Sequence, residues 1–330
     1  MKHHGTLLLT RHEIAQLLNI DECIKAVEQA FKLYGEGEVA PPGILGMRTR
    51  DGGFHIKAGL LEREKSYFVA KMNANFPKNR KRFDLPTIQG VIILCDGEHG
   101  YPLAVMDSIE ITIQRTGAAT AVAAKYLSRP DSKVITICGC GNQGRIQLRS
   151  LLQVRPLKQV FAYDLDRHQA ELFADEFSHD LCAEAISAEQ LTECVRKSDT
   201  CVTCTPSKQY FLNRHDITPG TFIAAVGADS EDKQELDPEL FMSSKVVVDV
   251  LAQCAAIGDL HHAVKQGLLK ASDVHAELGE VVAGKKPGRL TKEEVIIFDS
   301  TGMALQDAAA AMLVYEKAVD TGVGTWFEFY

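Results

Sequence analysis

Five side chains in this 330-residue chain have the type and setting to do chemistry. Asp229 follows the apolar run Thr221–Val226, with Gly227 giving the backbone room. A carboxylate at such a strand end can take up and release a proton beside a reacting carbon. The plainer alternative is a turn residue that starts the next element. Arg48, Lys57, Lys71 and Arg115 are cations in or beside apolar segments. Lys71 follows Tyr67-Phe-Val-Ala70, and an ammonium in such a strand is costly unless it is paired or faces a site. Strand alternation would equally turn it to solvent, and Arg115 on a small-residue helix would ordinarily belong to a solvated face. If two arginines and a lysine converge, they make a carboxylate clamp, because the guanidinium fork matches a carboxylate bidentately. Convergence is a property of the fold.

The stretch Lys133–Asp164 would bring a cofactor to these groups. Val134-Ile-Thr-Ile137 predicts a buried strand, and it breaks into Gly139-Cys-Gly-Asn-Gln-Gly144, a match to G-x-G-x-x-G. Ile146, Leu148, Leu151 and Leu152 then predict a helix over Gln143–Val154, and a second strand, Gln159–Tyr163, ends on Asp164, twenty residues past the last glycine. Strand, turn, helix, strand and acid in that order are the dinucleotide fingerprint. Gly139 permits the tight turn, Gly141 lets backbone approach the pyrophosphate, and Gly144 lets helix pack on strand. The helix start at Asn142 and Gln143 offers unpaired N–H groups and partial positive charge to phosphates. Asp164 would accept from both ribose hydroxyls and repel a 2′-phosphate, so NAD is preferred to NADP, although Arg167 could still receive a phosphate.

Around that core the chain divides in two. Thr10 with Glu13 forms a possible capping box, Asp21 could cap a second helix, and Ile20, Ile24, Val27 and Phe31 recur at helical spacing. Extended segments follow near 45–50, 54–60, 67–73 and 87–95, with a hairpin turn at Asp96-Gly97. A helix over Ile109–Leu127 leads to the fingerprint. Beyond it, helices near 167–177 and 188–197 alternate with strands near 185, 200–204, 221–226 and 245–250, and further helices are expected near 260–267 and 272–283. A last strand at 295–298 precedes a helix from about Ser300 to Val319. This alternation predicts an α/β chain with a Rossmann-type doubly wound parallel sheet over 129–298. Residues 1–128 and 299–330 then form a discontinuous α+β domain. Ligands in such sheets sit beyond the strands' carboxyl ends, where Thr205-Pro206-Ser207 and Val226–Asp229 fall.

Composition narrows the classes of partner. The formal net charge is −8, and without a basic run this argues against nucleic acid or an anionic membrane. No apolar run is long enough to span a bilayer, and the start lacks a signal peptide's apolar core, so a cytoplasmic protein is expected. Nine cysteines without regular spacing are expected to be reduced. Cys201 and Cys204 have redox or zinc spacing but lie in a predicted strand, and Cys138 and Cys140 flank Gly139; all four read as packing residues. No metal site is expected.

Taken together these residues resemble the ornithine cyclodeaminase and mu-crystallin family over nearly the whole chain. The resemblance rests on Ile111–Ala119, Ala123–Arg129, Gly139–Gln143, Val226–Ser230 with Lys233-Gln-Glu-Leu-Asp237, and Phe298–Gly302 with Gln306-Asp307. It implies that Arg48, Lys71 and Arg115 hold a substrate α-carboxylate, that Lys71 also polarises the reacting carbon, and that Asp229 handles the amine or imine proton. It implies further that Asn142, Gln143 and Asp164 bind NAD, with Thr87, Arg115, Thr205, Val226, Lys233 and Ser300 also at the cofactor and Thr301 near substrate. Members of that family are homodimers whose substrate-domain sheets meet.

The implied reaction is hydride transfer at the Cα of an L-amino acid or its imino acid, with three outcomes: amino-acid dehydrogenase, imine reductase, or cyclodeaminase. A binding protein without turnover is a further alternative. In the cyclodeaminases a glutamate lies in the strand corresponding to Phe54-His-Ile-Lys57. Here that strand holds no acid, and Lys57, if it faces the pocket, would repel a diamine and attract a second carboxylate; an exposed strand lysine is the alternative. Dehydrogenase or reductase is therefore preferred to cyclodeaminase.

Overall fold

A computed structural model describes residues 5–62 and 65–329. The start of the chain, Met1–His4, lies outside the described residues. Two compact units make up the fold: Met1–Arg115 with Met303–Tyr330, and Thr116–Gly302. The division falls inside the helix Ile109–Leu127.

The first unit holds a seven-stranded sheet in the order Thr325–Phe327, Thr6–Leu9, Pro102–Asp107, Ile88–Asp96, Ser66–Asn75, Gly53–Glu62, Gly43–Arg48. All neighbours are antiparallel except Thr6–Leu9 with Pro102–Asp107. The four expected extended segments are adjacent strands that run from its middle to the edge strand Gly43–Arg48. The outer pieces are runs of three to six residues, too short for alternation to stand out. Thr10 and Glu13 cap Arg11–Leu17 reciprocally. The helix Ile20–Glu36 is capped by Asn19, not by Asp21: the Asn19 side chain accepts from the Asp21 N–H at 2.8 Å, and Asp21 sits in the first turn, where the helix dipole favours an acid.

Alternation gives this sheet two unlike faces. Lys57, Leu61, Val69, Lys71, Ile92 and Leu94 point to one face and are buried. The helix Ala304–Thr321 packs there, so closely that a Cβ on Gly59 would lie 3.2 Å from Leu305. Phe68, Met72, Val91 and Ile93 point to the other face and remain 37–40% exposed, with Leu45 and Met47 at 54% and 50%. Net charge conceals one local feature. Lys78, Arg80, Lys81 and Arg82 cluster around the short helix Asn79–Phe83, a basic run after all, and Asp51 pairs with Lys78 at 3.0 Å and Arg82 at 3.2 Å.

The second unit is an eight-stranded, wholly parallel sheet: Ala276–Glu277, Lys245–Val248, Ile296–Asp299, Phe222–Ala225, Thr200–Thr203, Val134–Cys138, Gln159–Tyr163, Cys182–Ala185. The chain winds outward from Val134–Cys138 to Cys182–Ala185 and then returns to place Thr200–Thr203 on the other side of its starting strand. In sheets of this kind ligands sit at such a reversal, beyond the carboxyl ends of the two strands, where here Gly139 and Cys204 begin their loops. The helix expected near 272–283 is instead a single turn at Ala271–Asp273, the short strand Ala276–Glu277, and a helix limited to Leu278–Val282. Pairing of Ala276 and Glu277 with Val247 and Val248 overrides the local helical pattern. Cys201 is buried within its strand and all nine cysteines are free thiols. Among the described residues no helix is long and apolar enough to cross a membrane.

Candidate active site

In the second unit the three glycines of the turn do three different things. Gly139 has φ +104°, which side-chain-bearing residues rarely adopt. A Cβ on Gly144 would lie 2.1 Å from the Gly139 carbonyl oxygen, so helix and strand touch there. A Cβ on Gly141 would meet nothing within 4 Å, leaving open space at the start of the helix Asn142–Leu152. No side chain caps that helix, Asn142 is exposed, and the buried Gln143 Oε1 has no hydrogen-bond partner among the described residues. Asp164 closes the turn, accepting from the Cys140 N–H at 2.8 Å and the Asp166 N–H at 3.0 Å. Arg167 is drawn to Glu171 on its own helix, at 3.0 Å.

Asp229 is half exposed and pairs with Lys233 at 2.6 Å, one helical turn's spacing along the chain; the Lys233 ammonium also donates to the Gly227 carbonyl at 3.3 Å. Thr205 and Gly227 lie on neighbouring loops, and both donate to the buried Glu235. Val226 is bonded through its N–H to the Thr203 carbonyl. The Ser300 hydroxyl donates to Asp249 at 2.9 Å, and the Thr301 hydroxyl lies 3.4 Å from the same carboxylate, which also accepts the Gly302 N–H. Burial and the charge of Asp259 push the Glu235 carboxyl upward, opposed by the N–H and hydroxyl that Thr205 donates to it.

The first unit gathers the cations. Lys71 and Arg115 are buried and share one carboxylate, Asp307: Lys71 Nζ is 2.8 Å and Arg115 Nε 3.0 Å from Asp307 Oδ1. Arg115 donates also to Gln306 at 2.8 Å, and Lys71 lies 3.4 Å from the Thr112 hydroxyl. Lys57 stands directly across the strand pair from Lys71, on the same face, and is only 8% exposed, so it is not an exposed strand lysine. Burial pulls the Lys71 ammonium down to about 7, helped by Arg115 and Lys57 and opposed by Asp307. Burial alone would raise Asp307, but Lys71 and Arg115 more than offset it and hold the carboxyl below its usual range. Arg48 is exposed; it pairs across from Gly53, which places it on the face of Lys57 and Lys71 at the sheet's edge strand. Thr87 is half buried, and its carbonyl accepts the Phe76 N–H.

Three acids here were not assigned roles from sequence: Asp307, Asp249 and Glu235. Asp307 carried a signal, since a charge within Ala304-Leu-Gln-Asp-Ala-Ala-Ala310 is costly unless paired. Glu235 sat inside the Lys233–Asp237 motif.

The parallel sheet, its glycine turn and the acid ending the next strand define the class, the Rossmann-type α/β proteins. The chain belongs to the ornithine cyclodeaminase/mu-crystallin family, whose model matches residues 4–322. An alanine dehydrogenase of Archaeoglobus fulgidus is 40% identical over 327 residues, 98% of this chain and 99% of its own length. Among solved structures, an archaeal alanine dehydrogenase dimer with bound NAD has a TM-score of 0.94 at 39% identity, over 99% of this chain and 100% of that one. The Δ(1)-pyrroline-2-carboxylate reductase of Thermococcus litoralis, in complex with NADH and L-proline, has 0.91 at 36%, over 98% and 100%. The iminosuccinate reductase of Paracoccus denitrificans, in complex with NAD+, has 0.90 at 31%, over 98% and 100%.

Proposed function

We propose that this protein is an NAD-dependent oxidoreductase that transfers a hydride to or from the Cα of an L-amino acid or its imino acid. The observation that carries the proposal is the pair of buried cations on a single carboxylate. Lys71 and Arg115 share the one carboxylate of Asp307, and an amino acid's α-carboxylate is the kind of anion such a pair of cations receives. Relatives that act on alanine, pyrroline-2-carboxylate and iminosuccinate support the same substrate class.

NAD bound at the glycine turn would accept or return the hydride. Gly139, Gly141, Asn142 and Gln143 would take its pyrophosphate, and Asp164 its ribose. Thr87, Arg115, Thr205, Val226, Lys233 and Ser300 would complete that set, with Thr301 near the substrate. Asp164, where a carboxylate would repel a 2′-phosphate, favours NAD over NADP. Arg48 would join Lys71 and Arg115 on the substrate carboxylate, and Lys71 would also polarise the reacting carbon. Asp229, paired with Lys233, would give and take the nitrogen's proton. Residues 129–298 would then be the NAD-binding domain, and residues 1–128 with 299–330 the substrate-binding and dimerisation domain. The apolar outer face of the seven-stranded sheet supports a homodimer. Free thiols suit the cytoplasm.

Lys57, buried on the face of Lys71, disfavours a diamine and so ranks dehydrogenase or reductase above cyclodeaminase. The test is a panel of L-amino acids with NAD and of imino acids with NADH, followed at the NADH absorbance band. At least one should turn over, ornithine should yield no proline, and Asp229→Asn should lower turnover roughly 10²-fold or more with NADH binding little changed. A panel silent throughout, with NADH demonstrably bound, would favour a binding protein; an unchanged Asp229→Asn would remove Asp229 from the chemistry.

A further inference from the structure

We infer that Glu235 is a positioning residue for this reaction, tying the loop that leads to Asp229 to the loop that holds Thr205. Its carboxylate is fully buried and is divided between the two loops. Oε1 accepts from the Thr205 N–H at 2.6 Å and from the Thr205 hydroxyl at 2.7 Å, while Oε2 accepts from the Gly227 N–H at 3.0 Å. The loops run from the carboxyl ends of adjacent parallel strands, Thr200–Thr203 and Phe222–Ala225. Contact there is close: a Cβ on Gly227 would lie 2.5 Å from both Glu235 Oε2 and the Thr205 carbonyl oxygen. No larger residue fits at 227 while the clasp is in place.

The clasp is itself held rigid from behind. The Glu235 and Leu236 N–H groups both donate to Asp259 Oδ1, at 2.8 and 3.0 Å. The Asp259 and Leu260 N–H groups donate in turn to Asp299, at 3.3 and 2.9 Å. Asp299 ends the strand Ile296–Asp299, so a chain of acids anchors Glu235 to the sheet's own edge of ligand-facing loops. Burying three carboxylates so close together is expensive. A fold that needed only to fill this space would do so with apolar side chains. Three donors on two oxygens explain why an acid stands here, because the loops bond different oxygens and an amide would present an NH2 group in place of one of them.

That asymmetry gives the inference a specific test, and it rests on the role proposed for Asp229. In Glu235→Gln the amide oxygen can keep both Thr205 donors, which turns the NH2 group towards the Gly227 N–H. The Asp229 loop is then released and the Thr205 loop is not. The expected result is a kcat lowered roughly 10-fold or more, the scale of a misplaced catalytic group, with KM and the NADH Kd within about twofold and the urea midpoint kept. Glu235→Ala should release both loops and weaken NADH binding as well. Hydrogen exchange should speed up at Gly227–Ser230 in Glu235→Gln and stay unchanged at Thr205–Ser207. If Glu235→Gln turns over normally, or loses activity only in step with a falling urea midpoint, the inference is overturned while the proposed function stands. If Asp229→Asn keeps full activity, the proposed function fails at Asp229, and the positioning role falls with it.

Discussion

Asp307 is the residue on which the buried cations depend. With Lys71 and Arg115 both on its Oδ1, replacing it by Asn leaves two cations buried around a neutral group, and breaking a buried pair in this way costs about 3 kcal/mol or more. The cost should depend on pH. Lys71 already sits near 7 in the folded protein against 10.5 in a free lysine, and Asp307 is the group that holds it up. In Asp307→Asn the folded-state value falls further, so the folded state sheds the proton at a lower pH while the unfolded chain keeps it to about 10.5. The variant's stability then rises with pH from that lower value and the wild type's only from about 7, so the variant's deficit shrinks as pH climbs to about 7 and stays level above it. Urea titrations of both proteins at pH 6 and pH 9 check this; an equal deficit at both would show that Lys71 does not discharge. At this scale sequence marked the cations and their cost but not their partner. Alternation could not say which face a strand turns inward, and the matching acid lies more than 200 residues away from Lys71, on a helix whose alanines read as plain packing.

At the scale of elements, the glycine turn is where sequence and structure agree at Gly139 and Gly144, because each of these two answers a local geometric demand. Gly144 makes that demand testable. A methyl group there would sit 2.1 Å from the Gly139 carbonyl, so Gly144→Ala must push the helix Asn142–Leu152 off the strand Val134–Cys138. NADH affinity should fall roughly 10-fold or more, from a strain of about 1–3 kcal/mol at the phosphate-binding turn. A fluorescence titration measures it, and an unchanged Kd would mean that the helix start does not meet the cofactor. Elements governed by local signals were legible: Ile109–Leu127 and Arg167–Phe177 match their predicted bounds. Strands of two to four residues that depend on a neighbour were not. Thr6–Leu9 lies between Pro102–Asp107 and Thr325–Phe327, the last strand has, among the described residues, only Thr6–Leu9 beside it, and Ala276–Glu277 is a strand only because Val247 and Val248 lie beside it.

At the scale of the whole molecule, the seven-stranded sheet raises a question that no single residue answers. Its inner face is filled by the helix Ala304–Thr321, yet its outer face presents Phe68, Met72, Val91 and Ile93 on adjacent strands at the centre of the sheet. Single exposed apolar side chains are ordinary; a contiguous patch on one face marks an association surface. The solved archaeal relative is a dimer. A two-fold contact would set this patch against itself and so bury every apolar residue twice. A charge placed there meets its own copy, with no water to screen it. Met72→Asp combined with Ile93→Asp should therefore convert a dimer to the mass of one chain in size exclusion with light scattering. Leu165→Asp, at a 92% exposed apolar residue of the other unit, should leave the dimer intact. A monomeric wild type, or a double variant that stays dimeric, would show that something other than a second copy covers the sheet.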